Sequence, residues 1–165
     1  MTIAPKIRLT AAAVSLALLA ACGAEPASET EAVAAADEPE VIDQRQDNFE
    51  SISDAFKVIR TQLESGEPDF TAIETSAADI SERAQLVSGY FPEGTGVDDG
   101  YDTEALSTIW EDPAGFEKAA QNFVDASAEM VTVAASGDAV AVGEQVKTLG
   151  GTCKGCHDKF RLKTD

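Results

Sequence analysis

The chain has 165 residues, with 30 acidic against 12 basic side chains and a net charge of −18. A balance this acidic excludes the basic surface that nucleic acid or anionic lipid demands, so no nucleic-acid partner is expected. One His and three Cys restrict metal and redox chemistry to very few side chains.

Taken from the start, Lys6 and Arg8 precede a largely apolar run over 9–21, followed by Cys22. That order of charge, apolar stretch and small residues reads as an export signal over 1–21, which is set aside from the fold. The run is short of the ~20 residues that span a bilayer. Leu19-Ala20-Ala21-Cys22 resembles a bacterial lipobox, in which Cys22 is lipid-modified and becomes the mature N-terminus. The alternative is an ordinary signal peptide with Cys22 incidental. Removal of 1–21 takes away two basic residues and no acidic one, leaving ten basic against 30 acidic. Residues 22–40 hold Ala, Glu, Pro and Ser with almost no large apolar residue, so they read as a flexible tether on the lipid anchor. A folded domain over 41–165 follows, long enough for one core.

Its periodicity is helical throughout. Ile42, Phe49, Ile52, Phe56, Ile59 and Leu63 form one apolar stripe, closed by Gly66 and Pro68. A second helix is expected over 69–88, with Phe70, Ile73, Ala77, Ile80, Ala84 and Val87 inward. Residues 89–96 are rich in breakers and read as ordered turns, and 101–110 as holding one short helical turn. Asp112-Pro113 opens the third long helix, Asp as N-cap and Pro at the first helical position. Phe116, Ala120, Phe123, Met130 and Ala134 line its inner side, with Ser127 in the same row. Gly137 closes it and Asp138 caps the last helix, which carries Val142, Val146, Leu149, Cys153, Cys156, His157 and Phe160. The fold class is therefore all-α, an antiparallel four-helix bundle.

Cys153-Lys154-Gly155-Cys156-His157 carries the chemistry. On a helix, Cys153, Cys156 and His157 project from one face, so two thiols can bond a porphyrin edge while the imidazole reaches its iron. C-x-x-C-H is read as covalent attachment of one haem c, with His157 as axial iron ligand. A thioredoxin-like motif would need a βαβ context, and zinc a fourth ligand that the domain does not offer. Outside Met1 the sole Met is Met130, more readily core than ligand, and Trp110 reads as structural packing.

A four-helix chain with C-x-x-C-H close to its C-terminus resembles the class II c-type cytochromes, the cytochrome c′ family. Arg45-Gln46, Phe91-Pro92-x-Gly94-Thr95, Ile109-Trp110 and Cys153-Lys154-x-Cys156-His157-Asp158-x-Phe160-Arg161 carry the resemblance, which covers roughly 41–163. It implies that Arg45, beside Gln46, pairs with a haem propionate. It also implies that Arg161 stands beside the proximal ligand, where it can tune the His–iron bond and shelter a proximally bound NO. The sixth iron position is approached four residues after Arg45, where electron-transferring members have Met and this chain has Phe49. Phe has no lone pair, so the expected iron is five-coordinate, its open face covered by an apolar ring that admits NO and CO; Phe49 as plain core is the alternative. The expectation is a gas-binding protein that buffers, senses or detoxifies NO, held on the periplasmic side of a bacterial envelope by lipidated Cys22. It has no catalytic residues and is not expected to be an enzyme; weak peroxidase activity lacks a distal acid–base group. The alternative is an electron carrier between envelope redox proteins. Homodimers formed by the first two helices are common in the family.

Overall fold

The structure, a computed structural model, describes residues 39–163. The export signal, Cys22 and nearly all of the tether lie outside the described residues. Four long helices, α1 (Glu40–Glu64), α2 (Phe70–Ala84), α4 (Pro113–Ala134) and α5 (Ala139–Phe160), form the bundle, with a single turn, α3 (Thr108–Glu111), before α4. Packing runs α1 on α2, α2 on α4 and α4 on α5, while α1 and α5 touch only sparsely. That thin seam positions the site.

Local chemistry sets the helix ends as the sequence implies. Asp69 Oδ1 accepts from the Thr71 and Ala72 N–H groups, Asp112 Oδ1 from Gly115 N–H at 3.0 Å, and Asp138 Oδ1 from Val140 and Ala141 N–H. Each satisfies first-turn donors that no carbonyl of its own helix can reach. Gly137 stands at φ +67°, the left-handed conformation that lets the chain turn from α4 into α5.

Two details depart from the expected elements. α2 ends at Ala84, not Ser88, and residues 87–90 tighten into a 3₁₀ turn. The Asn48 amide donates to Arg83 O at 3.3 Å, satisfying one terminal carbonyl of α2, and Leu86 N–H returns to the same carbonyl. The single stripe of α1 divides into two. Ile42, Ile52 and Ile59 are buried together with Arg45, Asn48 and Ala55, whereas Phe49, Phe56 and Leu63 are half-buried on a neighbouring row seven residues apart.

The core is built from Ile59, Ile73, Ile80, Met130 and Leu149, all fully enclosed. Ser127 is fully buried too, its hydroxyl donating to Val124 O one turn back at 2.8 Å, which removes the cost of a polar group in that row. Met130 packs in this core and does not line the cavity described below. Met130→Ala is expected to lower unfolding free energy by about 2–5 kcal/mol through the cavity it leaves, read from the urea midpoint at unchanged slope.

Candidate functional site

Where α1 and α5 stay apart, a cavity of about 650 Å³ opens, within the ~300–1,000 Å³ usual for small-molecule and cofactor sites. Helix α5 brings Cys153, Cys156 and His157 to its wall, as their i, i+3, i+4 spacing requires. The opposite wall is α1, with Arg45, Gln46, Phe49, Ser53 and Phe56. All seven candidate residues expected around the group, Arg161 included, therefore meet at one cavity.

Burial pushes the Cys153 and Cys156 thiols above their ordinary range; at Cys156 the neighbouring Cys153 adds to it. The His157 imidazole is pushed below its ordinary value, first by burial and then by the nearby Arg161 guanidinium, with Glu104 and Asp158 opposing. A neutral imidazole offers the lone pair that a metal ligand needs. Among the described residues no cluster of three or more His, Cys, Asp or Glu could hold a bare metal ion. A single imidazole beside two thiols on an apolar wall fits a metal that arrives inside a macrocycle, and it does not fit a zinc site.

The connection between α2 and α4 supplies the rest of the wall, and Arg45 organises it. The Arg45 side chain is only 3% exposed. Its Nη2 donates to Thr103 Oγ1 at 2.8 Å and Thr95 O at 3.0 Å, and its Nη1 to Thr95 Oγ1 at 3.3 Å and Tyr90 O at 3.4 Å. The guanidinium also lies 4.7 Å from the centre of the Phe91 ring. Gln46 Nε2 donates to Asp102 O at 2.8 Å, a second tie between α1 and the same connection. Trp110 Nε1 donates to Phe91 O at 3.0 Å, the structural role expected of it. A Cβ at Gly96 would come within 2.7 Å of the Trp110 ring, so that close approach requires glycine.

Phe91 is the wall residue that sequence reasoning missed, along with Phe56 and Phe116. Edge-to-face contacts link Phe49 to Phe91 at 6.4 Å, Phe91 to Phe116 at 4.8 Å and Phe116 to Phe160 at 5.4 Å, an aromatic row from α1 across to α5. Phe56 shares the seven-residue row of Phe49, which was the signal for it, whereas Phe91 offered only its Phe-Pro dipeptide and Phe116 only its place in the inner row of α4. Glu104, also on the wall, forms an ion pair with Arg161. Lys159 pairs with Asp112 and holds that carboxyl below its ordinary range, helped by the Gly115 N–H.

The family model described as cytochrome c′ matches residues 40–161. A cytochrome c′ of Rubrivivax gelatinosus is 34% identical over 125 residues, covering 75% of this chain and 95% of that protein. The solved cytochrome c′ from Rhodobacter Spheriodes is 30% identical, with a TM-score of 0.71 over 78% of this chain and 100% of its own. Another solved cytochrome c′, described as having ligand-controlled dimer dissociation, is 29% identical with a TM-score of 0.71, covering 79% and 100%.

Replacing Thr103 by Val removes the shortest acceptor of a buried guanidinium. Thr103→Val is expected to destabilise the protein by about 1.5–3 kcal/mol, the range for hydrogen bonds to charged groups, measured by chemical denaturation.

Proposed function

This chain belongs to the cytochrome c′ family, whose members carry one covalent haem c, and we propose that it keeps its iron open on one face to bind NO or CO. Cys153 and Cys156 would hold the macrocycle as thioethers, and His157, the only His in the chain, would bind its iron. When bound, the haem supplies an iron with one coordination position free for a small ligand.

The observation that carries this reading is Phe49. It stands on the cavity wall four residues after Arg45, in the place of the Met of electron-carrying members, and offers a ring with no lone pair. Met130, the one Met of the bundle, is enclosed in the core. Beyond Phe49 the α1 wall holds apolar Ile52 and Phe56, the Ser53 hydroxyl, and Arg45 and Gln46, whose donors are engaged by Thr95, Thr103 and Asp102 oxygens. Such a wall gives little to an anion or to bound dioxygen, which need hydrogen-bond donors, and admits an uncharged diatomic once the ring swings aside. Arg45, which ties the connection, would pair with a propionate of the bound group, and Arg161 would stand on its His157 side. The α1 residues on the wall include no carboxylate to serve as a distal acid or base, which supports ligand binding as the proposed role.

The biological role that follows is NO buffering, sensing or detoxification in the bacterial periplasm, on a membrane held through lipidated Cys22. The same reading includes pairing of two copies through α1 and α2; one solved relative is described as a dimer whose dissociation is ligand-controlled.

The ferric and ferrous-CO absorption spectra of the mature protein test the reading. A five-coordinate ferrous spectrum that shifts on CO addition is expected; a split low-spin spectrum indifferent to CO would make the protein an electron carrier. Phe49→Ala is expected to speed CO association and raise CO affinity, and unchanged CO kinetics would remove Phe49 from the ligand's path. Cys22→Ser is expected to move the protein from the membrane to the soluble fraction after cell disruption. Wild type already in the soluble fraction would end the anchor reading.

A further inference from the structure

We infer that Phe91 is a positioning residue for ligand entry. Its ring holds the Phe49 ring in place on the cavity wall, and a diatomic must break that ring–ring contact to bind. The inference rests on the reading of Phe49 as the ring that a ligand displaces.

Phe49 on α1 and Phe91 in the α2–α4 connection both line the cavity. Their rings stand edge to face, centroids 6.4 Å apart and planes at 62°, a geometry that the ring quadrupoles favour. Phe91 is pinned from three further directions, each by a different helix. From α4, the Phe116 ring meets it edge to face at 4.8 Å. From α1, the Arg45 guanidinium lies 4.7 Å from its ring centre and is itself fixed by Thr95 and Thr103. From α3, Trp110 Nε1 donates to its carbonyl at 3.0 Å. Thr95 Oγ1 then closes the following turn by donating to Pro92 O at 2.8 Å.

The two rings are therefore unequal. Among the described residues Phe91 is the one aromatic ring that meets Phe49, whereas Phe91 keeps a cation, a second ring and a backbone bond without it. Phe49 is half-buried, borders the cavity, and can turn about its own side-chain torsions into another staggered position. When one ring gives way to a ligand, it is Phe49, and the contact it leaves is with Phe91. A contact that is broken on entry and absent from the bound state has a kinetic signature. Its removal speeds association and raises affinity by the same factor, with dissociation unchanged. A side chain that merely obstructs the path slows entry and exit alike, and its removal leaves affinity as it was.

Phe91→Leu keeps an apolar side chain and removes the ring. In the haem-loaded protein it is expected to raise the CO association rate and affinity roughly two- to tenfold, the range one edge-to-face contact supplies. Dissociation should stay at the wild-type rate. In a Phe49→Ala background the same change should add nothing, since the ring that Phe91 holds is gone. In urea denaturation without CO, the two single variants should together lose more stability than the double variant does. Met130→Ala, which loosens the core away from the cavity, should leave CO association unchanged. Unchanged association in Phe91→Leu, dissociation accelerated in step with it, or a full effect retained in the Phe49→Ala background would each overturn the inference. So would additive stability losses, or equal acceleration by Met130→Ala. Should Phe91→Leu not fold, Trp110→Phe frees the Phe91 carbonyl while keeping both rings; faster CO association is expected there, and an unchanged rate overturns the inference equally. Phe49→Ala with wild-type CO kinetics would instead be a failure of the reading on which this one rests.

Discussion

A buried guanidinium organises the irregular third of this domain. Arg45 sits on α1, nearly closed off from solvent, and a charge so placed is tolerated only if its donors are met. Those acceptors lie 45 to 58 residues further on, at Tyr90, Thr95 and Thr103. Reaching them folds the α2–α4 connection back over the mouth of the bundle, which places Phe91 against Phe49 and Phe116 and delivers Glu104 to the end of α5. Without that tie the connection would lose its main reason to follow this course, and two walls of the cavity would go with it.

The parts of the molecule that were legible in its sequence are those whose causes are local. Asp112, Asp138 and Gly137 mark helix ends because their chemistry acts within one turn, and Cys153, Cys156 and His157 share a face because three and four residues make a helical turn. The end of α2 was overrun because the Asn48 amide that satisfies Arg83 O comes from another helix. The α1 stripe was read as one because apolar residues alone do not reveal that Arg45 and Asn48 share its buried face. Phe91, Phe116 and Glu104 become neighbours of the site only through the tertiary course of the connection. The resemblance brought Arg45 to the site as a propionate partner; its structural work on the Thr95 and Thr103 hydroxyls has no sequence signal, since threonines are common and these stand far from it.

Charge is distributed with the same asymmetry. Of the ten basic residues after the export signal, five lie in 147–163, around the attachment segment, while the acidic residues cover the remainder of the domain. Most of those basic groups are locally paired, Lys147 with Glu144, Lys154 with Asp158, Lys159 with Asp112 and Arg161 with Glu104. The segment that bears the site carries five basic residues against Asp158 alone, and Glu144, Asp112 and Glu104 from outside it offset most of that excess. An uncharged ligand is indifferent to the long-range field of such a surface, whereas anions are repelled before they reach the cavity.

The two faces of the iron are consequently governed by different physics. On the α1 side the wall is led by a ring, Phe49, carried by a long helix and packed edge-to-face against Phe91. On the α5 side charged groups predominate, Arg161 at the helix end paired with Glu104 of the α2–α4 connection, both partly open to solvent.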